Sequence, residues 1–198
     1  MKKIETIWHH ILIKALEEKQ FKHTQKQIAG KFGYSLSTVN YALEKPTAIG
    51  AIRKSGWFFV LEDFKKLLYF WATRRNLGKD IFYKTKADGT VGTIEGQMFP
   101  EAVFAGYSAG KRLLSEAPAD YSKVYFYANP QDLDKIMARF PVQKGEPNVF
   151  ALTTPPSILD HAQLTDLSLT FVDTWNLKDW YAKDFTLALE QKIDGVLS

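Results

Sequence analysis

The chain has 198 residues, 45% of them hydrophobic and 14% aromatic, enough for one large folded unit or two small ones with a real core. It has no cysteine, which excludes disulfides, thiolate metal sites and a cysteine nucleophile. The net charge of +4 hides a division: residues 1–86 hold 17 basic and 7 acidic side chains, whereas residues 87–198 hold 9 and 15. A basic half joined to an acidic half is the charge pattern of a nucleic-acid-binding unit attached to something else. No apolar run approaches the roughly 20 residues that span a bilayer. The opening MKKIETIWHH has no apolar stretch before its first acid, so neither a signal peptide nor a membrane is expected, and the cytoplasm is the expected compartment.

Ile4 to Gln20 has helical spacing, with Ile4, Ile7, Trp8, Ile11, Leu12, Ala15 and Leu16 on one side. His9 and His10 on it read as packing or surface histidines, and His23 as too isolated to complete a metal site. The stretch His23 to Leu43, HTQKQIAGKFGYSLSTVNYAL, reads as a helix-turn-helix. Thr24 caps a short helix, Gln25 to Phe32, with Ile28, Ala29 and Phe32 on one face. Gly33 turns the chain where a positive φ is needed. Ser35 then caps a second helix. Spacing of three and four turns Leu36, Val39, Ala42 and Leu43 inward and leaves Ser37, Thr38, Asn40 and Tyr41 outward. Short hydrogen-bonding side chains of that kind suit base edges and phosphates in a major groove.

Pro46 is expected to close that helix. Ile49 to Arg53 and Trp57 to Leu61 are β-rich runs joined by Lys54, Ser55 and Gly56, a hairpin signal. Arg53 and Lys54 near its tip are placed to meet phosphates or the neighbouring minor groove. Trp57, Phe58 and Phe59 are expected to pack on the helices. Helix, helix-turn-helix and basic-tipped hairpin together resemble a winged-helix DNA-binding domain, and GYSLSTVNYALEK resembles the recognition segment of MarR-like prokaryotic regulators. That resemblance covers residues 1 to about 62 and implies double-stranded DNA as partner. The expected contact set is Thr24, Gln25, Ser35, Ser37, Thr38, Asn40, Tyr41, Lys45, Arg53 and Lys54.

Asp63 to Asn76 reads as a further helix capped by Asp63, with Phe64, Leu67, Leu68 and Trp71 inward. Arg74 and Arg75 near its end suit the helix dipole and a place near DNA. The Asp88-Gly89 turn signal sets the expected division into residues 1–86 and 87–198.

Beyond Ile81 to Thr85, a short strand, residues 93–104 read as a helix or a helix and loop. Gly106-Tyr107-Ser108-Ala109-Gly110 matches the G-x-S-x-G nucleophile elbow, with His161 in permissible order. The elbow requires a central strand in a large parallel sheet, so the stretch reads instead as a helix start whose small residues allow close approach. Val124 to Ala128, a helix through Leu133, Ile136 and Met137 to Phe140, and Asn148 to Leu152 suggest a βαβ unit. Leu164 to Trp175 and Lys178 to Ile193 are closing helices with a break at Asn176.

FAGYSAGKRL, the VYFYA–helix–NVFAL unit and FVDTWNLKDWYAKDFTLALEQKI resemble the C-terminal domain of AbiEi-type antitoxin regulators of type IV toxin–antitoxin systems. The resemblance implies an α+β chain: an N-terminal winged helix followed by a small α/β domain, AbiEi-like or nucleotidyltransferase-like. It implies the role of antitoxin and autorepressor. A nucleotidyltransferase needs a Gly-Ser pair followed by closely spaced aspartates holding two metal ions. Asp132 and Asp134 have the one-apart spacing, but they open a helix with no Gly-Ser ahead, where acids suit the dipole. The expectation is therefore a DNA-binding transcriptional regulator with no catalytic residue, metal or cofactor. Its acidic half would serve a homodimer, a partner protein or a small ligand. The alternatives are a nucleotidyltransferase-like or hydrolase enzyme with a DNA-targeting winged helix, and a replication or partition initiator.

Overall fold

Apolar spacing and cap residues fix the helices of the first half. The computed structural model describes residues 1–158 and 162–198, and the architecture is α+β. Helix α1 (Lys3–Glu18) buries Ile7, Trp8, Ile11, Leu12, Ala15 and Leu16 and ends where Lys19 turns left-handed. Strand β1 (Lys22–Thr24) follows, three residues where the sequence suggested only a lead into a cap. Helix α2 (Gln25–Phe32) opens with a reciprocal capping box. Thr24 Oγ1 accepts the Gln27 N–H at 3.1 Å, and the Gln27 side chain accepts the Thr24 N–H at 3.1 Å. Gly33 makes the turn, and Ser35 Oγ accepts the Thr38 N–H at 3.1 Å to start α3 (Leu36–Ala48).

Pro46 does not close α3. The helix runs through it to Ala48. A proline at this position cannot donate to the carbonyl four residues back, which orphans Ala42. The indole Nε1–H of Trp8 supplies the missing donor to the Ala42 carbonyl at 2.7 Å. An interior proline is tolerated because a neighbouring helix satisfies the group it strands.

Strands β2 (Ile52–Ser55) and β3 (Phe58–Leu61) form an antiparallel hairpin, and β1 pairs on the other side of β3, giving the order β1-β3-β2. Helix α4 (Phe64–Ala72) starts under the Asp63 carboxylate, which accepts the Lys66 N–H at 2.9 Å. It is shorter than its apolar pattern suggested. The N–H groups of Arg74 and Arg75 both reach the Trp71 carbonyl, so the last turn tightens and stops.

The second half comprises β4 (Ile81–Thr85), α5 (Val91–Gly96), β5 (Val103–Ala105), α6 (Gly106–Leu114), β6 (Val124–Ala128), α7 (Leu133–Arg139), β7 (Val149–Thr153), α8 (Leu167–Trp175) and α9 (Ala182–Leu197). Residues 93–104 thus hold the end of a helix and the start of a strand, β5. The sheet order is β4-β7-β6-β5, with β6 and β7 parallel and both outer strands antiparallel to their neighbours. The β6–α7–β7 crossover is the βαβ unit the spacing suggested. All of β6 is buried because both sheet faces are covered. Tyr125 and Tyr127 face the core shared with α8 and α9, while Val124, Phe126 and Ala128 face Ile94 of α5 and Ile136 of α7.

Strand β4, which a division at residue 86 leaves with the first half, is hydrogen-bonded to β7. One apolar core also runs through both halves, from Ile7 of α1 and Trp71 of α4 to Phe171 of α8 and Phe185 of α9. Each such side chain taken out of water contributes about 1.5–3 kcal/mol, so this seam is a major stabilising element. Arg75 sits in it. The expectation of a DNA-facing arginine is corrected: its side chain is 1% exposed and donates to Asp173 at 3.1 Å, Glu5 at 3.3 Å, Tyr127 at 3.0 Å and Asp80. Burial alone would favour the neutral form, but the Tyr127, Asp173 and Asp80 oxygens outweigh it and push the guanidinium pKa up. Charges so far apart in sequence gave no sign of their meeting.

Candidate nucleic-acid interface

The outward face of α3 is the polar face its spacing implied. Ser37, Asn40, Tyr41, Glu44 and Lys45 are exposed, whereas Val39, Ala42 and Leu43 are buried. Leu36 departs from expectation. It is the first residue of the helix, a turn ahead of the packed stretch, and stands 55% exposed. At the helix start Ser35 Oγ lies 2.8 Å from Ser37 Oγ and 2.9 Å from Thr38 Oγ1, a cluster of three hydroxyls. Thr24 and Gln25 are half-buried, and the Thr24 hydroxyl is engaged in its cap.

The hairpin lies against this face. Lys54 Nζ donates to Asn40 Oδ1 at 2.8 Å, which joins β2 to α3 and leaves the Asn40 NH2 group to meet a ligand. Arg53 is exposed but paired with Glu62 at 2.7 Å. The register pairs Ser55 with Phe58, so the turn is Gly56-Trp57 and not Lys54 to Gly56. Gly56 has φ of 57°, the conformation a two-residue hairpin turn with glycine first requires. Moving the turn by two residues puts Lys54 in a strand and Trp57 at the tip. Phe59 packs in the core and Phe58 is half-buried, as expected, but Trp57 is 74% exposed. Lys22 of β1 lies 4.0 Å from the Phe58 ring centroid and 5.5 Å from that of Trp57. Neither Lys22 nor the Trp57 tip was singled out from sequence, although the order Ser-Gly-Trp-Phe carried the turn signal.

Between Lys22 and Glu62 there are six basic and two acidic side chains. Among the described residues, Lys22, Lys26, Lys31 and Lys45 form no ion pair. Elsewhere the charge division is partly closed across the fold, because Lys65 binds Glu190 and Asp194, and Arg75 binds Asp173. Net charge therefore overstates the free positive surface of the first half. What remains on α2, α3 and the hairpin is Lys26, Lys31, Lys45 and Lys54, with Lys22 beside them on β1; Lys2, Lys3, Lys19, Arg74, Lys79 and Lys84 are exposed elsewhere in the first half.

His9 lies in the seam between the halves, and His10 and His23 lie beneath α2 and β3. His9 is fully buried, and its Nε2 lies 2.5 Å from Asp166, the cap of α8. Burial opposes the Asp166 charge, but His9, the Ser168 hydroxyl and the Leu169 N–H hold its pKa at about 2. His10 and His23 lie near each other. Their rings are 6.2 Å apart, with His10 against Phe32 and His23 stacked on Phe59. Burial, then Lys31 and His23, push His10 down to about 3, and burial lowers His23 as well. Unfolded, both would titrate near 6.5. The unfolded chain therefore takes up protons that the folded chain refuses, and this stability is present above pH 6.5 and lost below it. Stability read by urea titration should fall between pH 7.5 and pH 5, by about 1 kcal/mol from His10 after solvent screening, with His23 acting in the same direction. His10→Leu should flatten that dependence; an unchanged slope would show that His10 titrates freely.

The second half offers no comparable reactive arrangement in the residues first considered. Ser108 is fully buried within α6, and β5 ahead of it is an edge strand antiparallel to β6. Its small neighbours do permit close approach: a Cβ on Gly110 would lie 2.9 Å from Phe185. His161 lies outside the described residues. Asp132 ends a short 3-10 turn and pairs with Lys135 at 2.9 Å, while Asp134 falls in the first turn of α7. Among the described residues no cluster of His, Asp and Glu is placed to hold a metal, and no helix is long and apolar enough to cross a membrane. No protein-family model matches the chain, and no curated protein or solved structure is significantly similar to it.

Proposed function

We propose that the chain is a sequence-specific transcriptional regulator that binds double-stranded DNA through a winged helix, with α3 as recognition helix and the β2–β3 hairpin as wing. The observation that carries this reading is the Lys54–Asn40 hydrogen bond, which makes the exposed face of α3 and the hairpin one polar, cationic surface. A helix of 13 residues is about 20 Å long and fits a major groove about 12 Å wide. The order α1-β1-α2-α3-β2-β3 supports the winged-helix assignment. The acidic second half is assigned to self-association, a partner protein or a ligand, in keeping with an antitoxin that represses its own operon.

The test is a titration of the full chain against labelled duplexes over a range of salt. Binding should weaken steeply as salt rises, since released counterions drive it. No measurable association with any duplex at low salt would remove the reading. Within that experiment, Lys54→Ala should lower the salt slope by about one unit. It should also narrow the gap between preferred and scrambled duplexes, because Lys54 orients the Asn40 amide. Arg53→Ala should change the slope less, since Glu62 already meets that charge. Equal, sequence-independent losses for both variants would mean that the Lys54–Asn40 bond has no part in recognition.

A further inference from the structure

The hairpin tip has a chemistry that phosphate binding does not explain. Trp57 is 74% exposed; Trp180 is as open, but Trp57 stands at the tip of a two-residue turn on the cationic hairpin beside Lys22. The indole meets Phe58 edge-to-face, with centroids 5.5 Å apart and the rings at 75°, and Lys22 Nζ lies 5.5 Å from its centroid. The rest is open. The surroundings are cationic: Lys22 stands on β1, and Arg53 and Lys54 on β2. The hairpin is held to the proposed recognition helix by the Lys54–Asn40 bond, so the tip keeps a fixed relation to whatever α3 docks on. An exposed aromatic ring with a lysine beside it, on a cationic hairpin, is the composition of a base-stacking platform, in which charge draws the backbone and the ring takes the base.

We propose that Trp57 is a nucleobase-stacking residue, which lays its open indole face on a base exposed beside the segment held by α3. The base would come from a duplex step partly unstacked from the minor groove, or from an unpaired strand. Pyrimidine–purine steps such as TA unstack most easily, whereas A-tracts resist. The inference rests on the DNA-binding reading above and adds the contact that Trp57 makes.

The full chain and its Trp57→Ala, Trp57→Phe and Trp57→Leu variants are titrated against three probes of about 20 nucleotides per strand: a TA-rich duplex, an A-tract duplex and a single strand. Trp57→Ala should weaken binding to a probe with an accessible base by roughly 5- to 150-fold, the range for one lost base–aromatic stack. Trp57→Phe should retain most of the affinity, and Trp57→Leu should not, although leucine keeps the apolar bulk. The salt slope should stay the same in all variants, because Trp57 carries no charge. Loss greatest on the TA-rich duplex places the ring at a kinked step; loss greatest on the single strand places it on an unpaired base. Circular dichroism and thermal midpoints check folding, and if the alanine variant unfolds, the comparison of Phe with Leu decides. Parent-like affinity of a folded Ala or Leu variant on all three probes would overturn the proposal and leave the DNA-binding reading standing. So would a loss accompanied by a flatter salt slope. Failure of the parent chain itself to bind any probe would remove both.

Discussion

Arg75→Met should be among the most destabilising single substitutions in the chain, at about 3–5 kcal/mol. The guanidinium sits between Glu5 at the start of α1, Asp80 before β4, and Asp173 in α8, with the Tyr127 hydroxyl closing the group. Asp173 is fully buried and Glu5 is 3% exposed. Removing the cation leaves carboxylates that water cannot reach and no positive group to answer them. The expected loss is a large share of the ~5–15 kcal/mol that holds a typical domain together. In a chain of this length it corresponds to roughly 10 °C or more in thermal midpoint. Arg75→Lys keeps the charge but loses the fork, and should fall between. Urea titration of the three proteins at neutral pH gives the answer; a midpoint for Arg75→Met within error of the parent would mean that the acids are already neutral.

Val39→Asp and Asn40→Ala are adjacent changes with opposite kinds of effect. Val39 is fully exposed to the core and not at all to solvent. A carboxylate there has no partner, and the cost on the order of 5 kcal/mol or more should unfold the α2–α3 region and abolish the proposed DNA binding of every kind. Asn40 lies on the outer face, where truncation leaves the fold intact. Its loss should cost about 0.5–1.5 kcal/mol on the preferred duplex, the range for one hydrogen bond, because Lys54 holds Oδ1 and the NH2 group is left for the base. It should cost far less on scrambled duplex, where charge governs affinity. Circular dichroism separates the two classes, and titration on both duplexes separates recognition from positioning. Equal losses for Asn40→Ala on both duplexes would assign sequence reading to another face.

The elements legible in the sequence are those whose signals are local. Thr24, Ser35 and Asp63 are caps that act within three residues, and each starts a helix where the sequence places it. Five apolar residues in Val124 to Ala128 announce a strand buried on both faces. Strands β1 and β5 are three residues each and carry no periodicity; both exist through pairing, β1 with β3 and β5 with β6. The hairpin was visible but its turn was not, because register depends on cross-strand partners, and a shift of two residues exchanged Lys54 for Trp57 at the tip. Leu36 had the right spacing and the wrong surroundings, since spacing names a helix face but not how far the neighbouring helix reaches. Arg75 was read from its own segment alone, while three of its partners come from residues 5, 127 and 173. For the candidate interface, the polar face of α3 was legible, and the contact that fuses it to the hairpin was not.

The hydrogen bond from Trp8 to the Ala42 carbonyl makes one proton a reporter on the whole interface. Most helical amides exchange with solvent as their own turn opens, but residue 46 is proline and has no amide to follow. The indole proton of Trp8 stands in its place, buried and shared between α1 and α3. In a nitrogen-labelled sample it gives a resonance in the uncrowded indole region, separate from the backbone amides. Its exchange rate measures how often α3 lifts from its seat, and its chemical shift registers any movement of α3 when a ligand docks on the opposite face.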